Sequence, residues 1–281
     1  LNAETGSVEW KRDLGADVGM KEFSSNASPL IEGNLLIMLA GGKPNAGVVA
    51  LDIATGAERW RALDEATAHS SPVIIKVGKQ RQLIVWTQQS VSALEPQSGK
   101  LLWSQRLLTS ADNAISTPVI DGDRLLISGL MFQLHELPPS ATILWPDART
   151  VTKRVLSNTS TPLLRDGYVY SAHTSGGLVC LDAASGNEIW HDDHATAPKQ
   201  GSALHLTING SSVLIFNDQG ELIRARLTPQ GYVETSRSHL LTPEQLFGGK
   251  KVTWSPPSYA NHKVFVRNQH EMVCASLAAE K

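Results

Sequence analysis

One ten-residue pattern recurs through this chain with its internal spacing intact. It reads Leu51-Asp52-Ile53-Ala54-Thr55-Gly56-Ala57-Glu58-Arg59-Trp60, and it returns as Leu1 to Trp10, Leu94 to Trp103 and Leu181 to Trp190. In all four copies the Leu precedes the Trp by nine residues. An Asx side chain hydrogen-bonds its own backbone two residues on, and Gly accepts positive φ without steric cost. Together they specify a tight turn. The residues before it (Val48 to Leu51, Val91 to Leu94, Leu178 to Leu181) are apolar and β-prone. The Trp after it is a large amphipathic plate suited to wedging between sheets. Each copy therefore predicts strand, turn, strand and aromatic anchor.

A second marker keeps the same beat. A small hydroxylic residue, Pro and an apolar run appear at Ser28-Pro29, Ser71-Pro72, Thr117-Pro118 and Thr161-Pro162, with Ser255-Pro256-Pro257 a looser copy. Trp residues at 10, 60, 103, 145 and 190 space the units by 40 to 50 residues, the period of propeller blades. Gly-bearing turns such as Glu32-Gly33-Asn34 divide each unit further, giving four short strands per unit. The expected fold is all-β: a β-propeller of four-stranded antiparallel blades with about six blade equivalents. The expected blades are 24–63, 69–107, 114–150, 157–194, 200–238 and 252–277 of the single domain 1–281. Pro243 to Phe247 is the one short stretch that reads as helix.

The Leu-Asp-x-x-Thr-Gly-x-x-x-Trp motif, with Ser-Pro opening each unit, resembles the PQQ-like β-propeller repeat. That repeat is named for quinoprotein alcohol dehydrogenases and is shared with the outer-membrane assembly scaffold lipoprotein. Trp254-Ser255-Pro256-Pro257 and Val266-Arg267-Asn268 are similar to the closing unit of bacterial proteins of this family. The resemblance implies export to the periplasm or beyond. It also implies eight blades, the family's usual number, so the chain reads as a fragment in which residues 1–14 are the last strand of an upstream blade. The other arrangement has residues 1–14 supply the outer strand of the sixth unit and close a six-bladed ring, which would remove open sheet edges.

Composition narrows the function. The 281 residues carry a net charge of −2 and no basic stripe, which argues against nucleic acid as a partner. No apolar run approaches the roughly 18 residues that span a bilayer. Cys180 and Cys274 take the places of Ala50 and Ala93 in other units, so both are expected to be small core residues, not a disulfide. Quinoprotein dehydrogenases, by the resemblance, need adjacent cysteines and an Asp-centred calcium site, and this chain has no adjacent cysteines. Nor does it hold a Gly-x-Ser-x-Gly nucleophile elbow. Gly41-Gly42-Lys43 lacks phosphate-loop spacing.

Trp190-His191-Asp192-Asp193-His194 is the richest ligand-bearing cluster. Strand alternation splits His191 and Asp193 from Asp192 and His194, and His191 takes the place of Lys11, Arg61 and Ser104. It therefore reads as an outer-strand surface, with no metal site assigned. The expected function is a non-catalytic scaffold that presents one face or an axial funnel to a protein, peptide or glycan. The alternative is a PQQ- and calcium-dependent oxidoreductase. A structural module of a larger exported protein is a third reading. The expected mouth of the funnel comprises Ser71, Thr117, Asn158, Thr161, His173, Ser202, Trp254 and Arg267, with no catalytic residue and no cofactor.

Overall fold

The structure is a computed structural model, and it describes residues 1–19, 26–108, 114–146, 155–196, 203–247 and 249–278. The chain forms two compact units, Leu1–Lys153 and Arg154–Lys281. The first unit holds a short helix, α1 (Leu14–Val18), and three four-stranded antiparallel sheets. Sheet 1 is β1 (Leu30–Glu32), β2 (Leu35–Gly42), β3 (Ala46–Asp52) and β4 (Glu58–Ala62). Sheet 2 is β5 (Val73–Val77), β6 (Gln80–Trp86), β7 (Ser90–Leu94) and β8 (Leu101–Arg106). Sheet 3 is β9 (Val119–Asp121), β10 (Arg124–Ile127), β11 (Leu130–His135) and β12 (Ser140–Trp145).

The second unit holds sheet 4, formed by β13 (Leu163–Arg165), β14 (Tyr168–Ala172), β15 (Leu178–Asp182) and β16 (Glu188–Asp192). Sheet 5 is β17 (Leu204–Asn209), β18 (Ser212–Asn217), β19 (Glu221–Thr228) and β20 (Gly231–His239). A two-stranded hairpin, β21 (Gln245–Phe247) and β22 (Lys250–Val252), leads to the three-stranded sheet 6. That sheet is β23 (Ser258–Ala260), β24 (Lys263–Arg267) and β25 (Met272–Ser276).

The middle strands are apolar on both faces because each face meets a different sheet. On β6, Leu83 and Val85 pack with Ile37, Val48 and Trp60 of sheet 1, while Ile84 and Trp86 pack with Leu125, Ile127 and Phe132 of sheet 3. On β18, Val213 and Ile215 join Ala172 and Leu178 of sheet 4, while Leu214 and Phe216 join Val264 and Val266 of sheet 6. The side-chain period of two thus sends alternate residues into two separate cores.

The repeated motif supplies the joints. Asp52 Oδ1 accepts from the Ala54 and Thr55 backbone N–H groups at 3.1 and 3.0 Å and from the Thr55 hydroxyl at 3.0 Å. These bonds, the Thr55 hydroxyl first, hold the Asp52 carboxyl below its ordinary pKa. Asn2 and Asp182 make the same set. The Trp then docks on the next turn along. Trp10 donates its indole N–H to the Ile53 carbonyl at 2.9 Å, Trp60 to Pro96 at 3.1 Å and Trp190 to Thr228 at 2.9 Å. The motif glycine lies under the ring: a Cβ on Gly99 would stand 2.5 Å from Trp60, and one on Gly56 2.6 Å from Trp10. So glycine is required twice over, by φ near +71° and by the indole.

Residues 1–13 are not in a strand in this structure; their turn and Trp10 dock on sheet 1, Arg12 donates to the Gly56 carbonyl, and α1 follows. Two expectations are corrected. Pro243 to Phe247 is not helical, because Gln245 to Phe247 pairs with Lys250 to Val252 in a hairpin. Cys180 is buried as expected, but Cys274 is exposed on β25, which pairs only with β24 among the described residues. In sheet 3 the turn that departs from the motif offers no docking carbonyl to Trp103, whose indole donates to Gln82 Oε1 of its own sheet at 2.9 Å.

Trp60→Ala is expected to cost about 3–5 kcal/mol of unfolding free energy in denaturant titration. Gly99→Ala, which meets both the ring and positive φ, is expected to cost about 1–3 kcal/mol beyond Gly122→Ala. Gly122 shares the positive φ, at +60°, but has nothing within 4 Å of a Cβ. Equal costs at the two glycines would contradict the docking role.

Candidate functional site

Each first strand begins, and each second strand ends, at the same end of its sheet. The hydroxylic residues that open the units lie there, and Ser71 and the serines just before two of the openings form joints between sheets. Ser71 Oγ accepts from the Ser28 N–H at 3.0 Å, and the Ser70 hydroxyl donates to the Ser116 carbonyl at 2.9 Å. Ser160 Oγ accepts from Leu204 N–H at 2.9 Å. Ser71, Thr117, Asn158 and Thr161 are half-buried, and each has a partner of its own. Ser202 lies outside the described residues.

Trp254 and Arg267 do come together. They line a cavity of ≈ 250 Å³ with Gln245, Val252, Thr253, Ser255, Asn268 and Gln269. Two local rules build it. Asn268 Oδ1 accepts from the His270 and Glu271 N–H groups at 2.9 and 2.8 Å, closing the β24–β25 turn and fixing Arg267 at its lip. The β21–β22 hairpin forms the opposite wall, with Phe247 edge-on to Trp254 at 4.7 Å. The Asn268 amide ties the two walls by donating to the Thr242 carbonyl at 3.1 Å. Leu246 and Phe247 of the hairpin are exposed.

The cavity is rich in donors. Trp254 Nε1 and Thr253 Oγ1 are buried atoms with no hydrogen-bond partner among the described residues. Arg267 is exposed and has no ion pair among the described residues. A ligand presenting carbonyl or carboxylate oxygens beside an apolar group matches such a wall. Of these residues, Trp254 and Arg267 are legible in the sequence, within the Trp-Ser-Pro-Pro and Val-Arg-Asn segments. Gln245, Val252 and Thr253 are not, because they depend on the hairpin; the length of the connection before the last unit is the one signal. His173 is not part of this cavity. It stands on sheet 4 against His191, with ring centroids 4.8 Å apart.

Cys180 lies in β15 and Cys274 in β25, so no adjacent pair exists to stack a cofactor. Burial also pushes the Cys180 thiol up to about 11, which keeps it protonated.

Antiparallel four-stranded sheets joined by docked indoles make this chain a β-propeller of the PQQ-like repeat class. The family model described as "Outer membrane protein assembly factor BamB" matches residues 1–134 and 45–253. The chain belongs to that family. It is 26% identical over 253 residues to outer membrane protein assembly factor BamB of Yersinia pestis, covering 86% of this chain and 61% of that protein. The chain thus spans about three-fifths of the length of that relative. Among solved structures it resembles BamB from Moraxella catarrhalis, with a TM-score of 0.58, 16% identity, and coverage of 88% of this chain and 70% of that one. It also resembles a quinohemoprotein alcohol dehydrogenase from Pseudomonas putida, with a TM-score of 0.56, 13% identity, and coverage of 86% and 50%. These two likenesses speak for the fold alone.

A histidine links sheet 5 to the cavity wall. His205 Nε2 donates to the Trp254 carbonyl at 3.2 Å, and burial depresses the His205 pKa below its ordinary 6.5. The folded protein therefore holds His205 neutral while the unfolded chain takes up a proton. Stability is expected to fall as pH drops below about 6.5, until the folded pKa is reached. Comparing urea midpoints at about pH 7.5 and about pH 5.5, His205→Gln should reduce the loss; an unchanged loss would remove His205 as its source.

Proposed function

We propose that this chain is a non-catalytic scaffold of outer-membrane protein assembly, working outside the cytoplasm, and that it holds protein segments at the Trp254–Arg267 cavity. The observation that carries this reading is the match of residues 1–253 to the assembly-factor family. The chemistry of the cavity supports it. An aromatic plate, an unpaired indole N–H and a guanidinium at one lip suit an extended peptide, whose carbonyls are acceptors and whose side chains need an apolar seat. No helix among the described residues is long and apolar enough to cross a membrane. The oxidoreductase reading is the less supported, since the adjacent cysteines it needs are missing from the sequence.

The test is site-specific photo-crosslinking in the native cell. A crosslinking residue in place of Arg267 should capture protein components of outer-membrane assembly. One in place of Gln230, an exposed turn residue of sheet 5, should not. Trp254→Ala should weaken the captured interaction by about 2 kcal/mol, roughly 30-fold. Capture of equal strength at both positions would contradict the site, and capture without any assembly component would contradict the function.

A further inference from the structure

A β-bulge recurs where the third strand meets the fourth. It falls between Ala50 and Leu51 in sheet 1, Ala93 and Leu94 in sheet 2, Cys180 and Leu181 in sheet 4, and Arg224 and Ala225 in sheet 5. In a regular strand, residues three apart face opposite sides. The extra residue of the bulge brings them to the same side. In sheet 1 these two positions are Glu58 and Arg61, a two-pronged ion pair at 2.8 and 2.5 Å. In sheet 5 they are Glu234 and Arg237, paired at 3.1 and 2.7 Å. In sheet 4 they are Glu188, opposite Leu181, and His191, opposite Val179. A permanent cation is thus replaced at one blade by an imidazole that can offer a lone pair.

A second imidazole stands beside it. Ser171 pairs with Val179, which pairs with His191, so His173, two residues after Ser171, rises on the same face. One ligand atom each from His173, Glu188 and His191 lies within 4.8 Å of the others. Each ring keeps one nitrogen on an outer partner. His191 Nε2 meets Asp193 Oδ1 at 3.2 Å. His173 Nδ1 meets Ser175 through the hydroxyl at 2.5 Å and the backbone N–H at 3.0 Å. An imidazole with a carboxylate or hydroxyl behind it is the usual second shell of a metal ligand.

We propose that His173, Glu188 and His191 form a divalent-metal site of the zinc class on sheet 4. Two imidazoles and a carboxylate, with water in the fourth position, are a zinc ligand set. Metal–ligand bonds of about 2.0–2.1 Å set tetrahedral ligand atoms about 3.4 Å apart, so the side chains must close by about 1.4 Å on loading. The proton displaced to His173 Nδ1 would be donated to Ser175 Oγ, in place of the N–H bond that Nδ1 now accepts. The bound ion would tie the β14–β15 turn to the outer strand β16.

The test is titration of the chelator-treated whole chain with zinc sulfate by calorimetry, and with cobalt(II) by visible absorption. One tight equivalent is expected, with a tetrahedral cobalt spectrum. Asp193→Asn should weaken binding about tenfold, and His173→Ala should weaken it further. His191→Arg is the decisive variant. It recreates the ion pair of sheets 1 and 5, so it should keep its melting temperature and lose the site. His194→Ala should bind as the parent does, since the His194 side chain is 83% exposed and pairs with Asp192. No tight equivalent in the folded parent, or binding that survives His191→Arg, would overturn the proposal.

Discussion

The indole of one repeat resting on the turn of the next is the contact on which the rest of the structure depends. It explains why the Leu-to-Trp spacing is constant: the Asx-capped turn fixes where the fourth strand starts, and the strand then fixes where the ring lands. In each copy the Gly after Thr or Ser accepts positive φ, and at Gly56 and Gly99 it also leaves room for the neighbour's ring. The indole adds a directed N–H bond to a large apolar burial, so each joint is specified by geometry as well as by area. Sheet 5 shows which part of the motif is indispensable. Its turn at Leu227 to Gly231 has lost the acid and the strand that follows lacks the Trp, yet Thr228 still offers the carbonyl that Trp190 needs.

How much of this was legible in the chain follows from which forces are local. Strand, turn and anchor could be read because Asp52, Gly56 and Trp60 act within ten residues of one another. The double-sided burial of β6 could be read from its run of apolar residues. The hairpin at Gln245 to Val252 could not, because the two apolar residues Leu246 and Phe247 do not distinguish helix from strand until their partner is known. The fate of Cys274 was misjudged because alignment with Ala50 assumes a fourth strand beside it, and β25 has none among the described residues. In the candidate site, Trp254 and Arg267 share a cavity, whereas the Ser71 hydroxyl accepts from the Ser28 N–H at a joint between sheets. His173 was singled out for a funnel mouth and instead meets His191.

The bulge accounts for that last difference. Alternation correctly separates His191 and Asp193 from Asp192 and His194, and the observed pairs are His191–Asp193 and His194–Asp192. Extended three residues back, the same rule would place Glu188 on the far face, and there the bulge reverses it. The frame and the variable chemistry are thus separate layers. Asp, Gly and Trp hold sheet to sheet, while the bulge positions and the closing unit are free to carry ion pairs, imidazoles or a donor-lined cavity. Family membership bears on the first layer directly, and on function only through the second.

The most direct measurement is a double-mutant cycle between Trp60 and Gly99, read as unfolding free energies of the parent, Trp60→Ala, Gly99→Ala and the double variant. With the ring removed, the methyl group on residue 99 loses its closest clash and keeps its backbone strain, so the account expects the two changes to be less than additive by about 1 kcal/mol or more. Strict additivity would mean that the indole and the turn do not act on each other, and the joint described here would not be what holds sheet 1 to sheet 2.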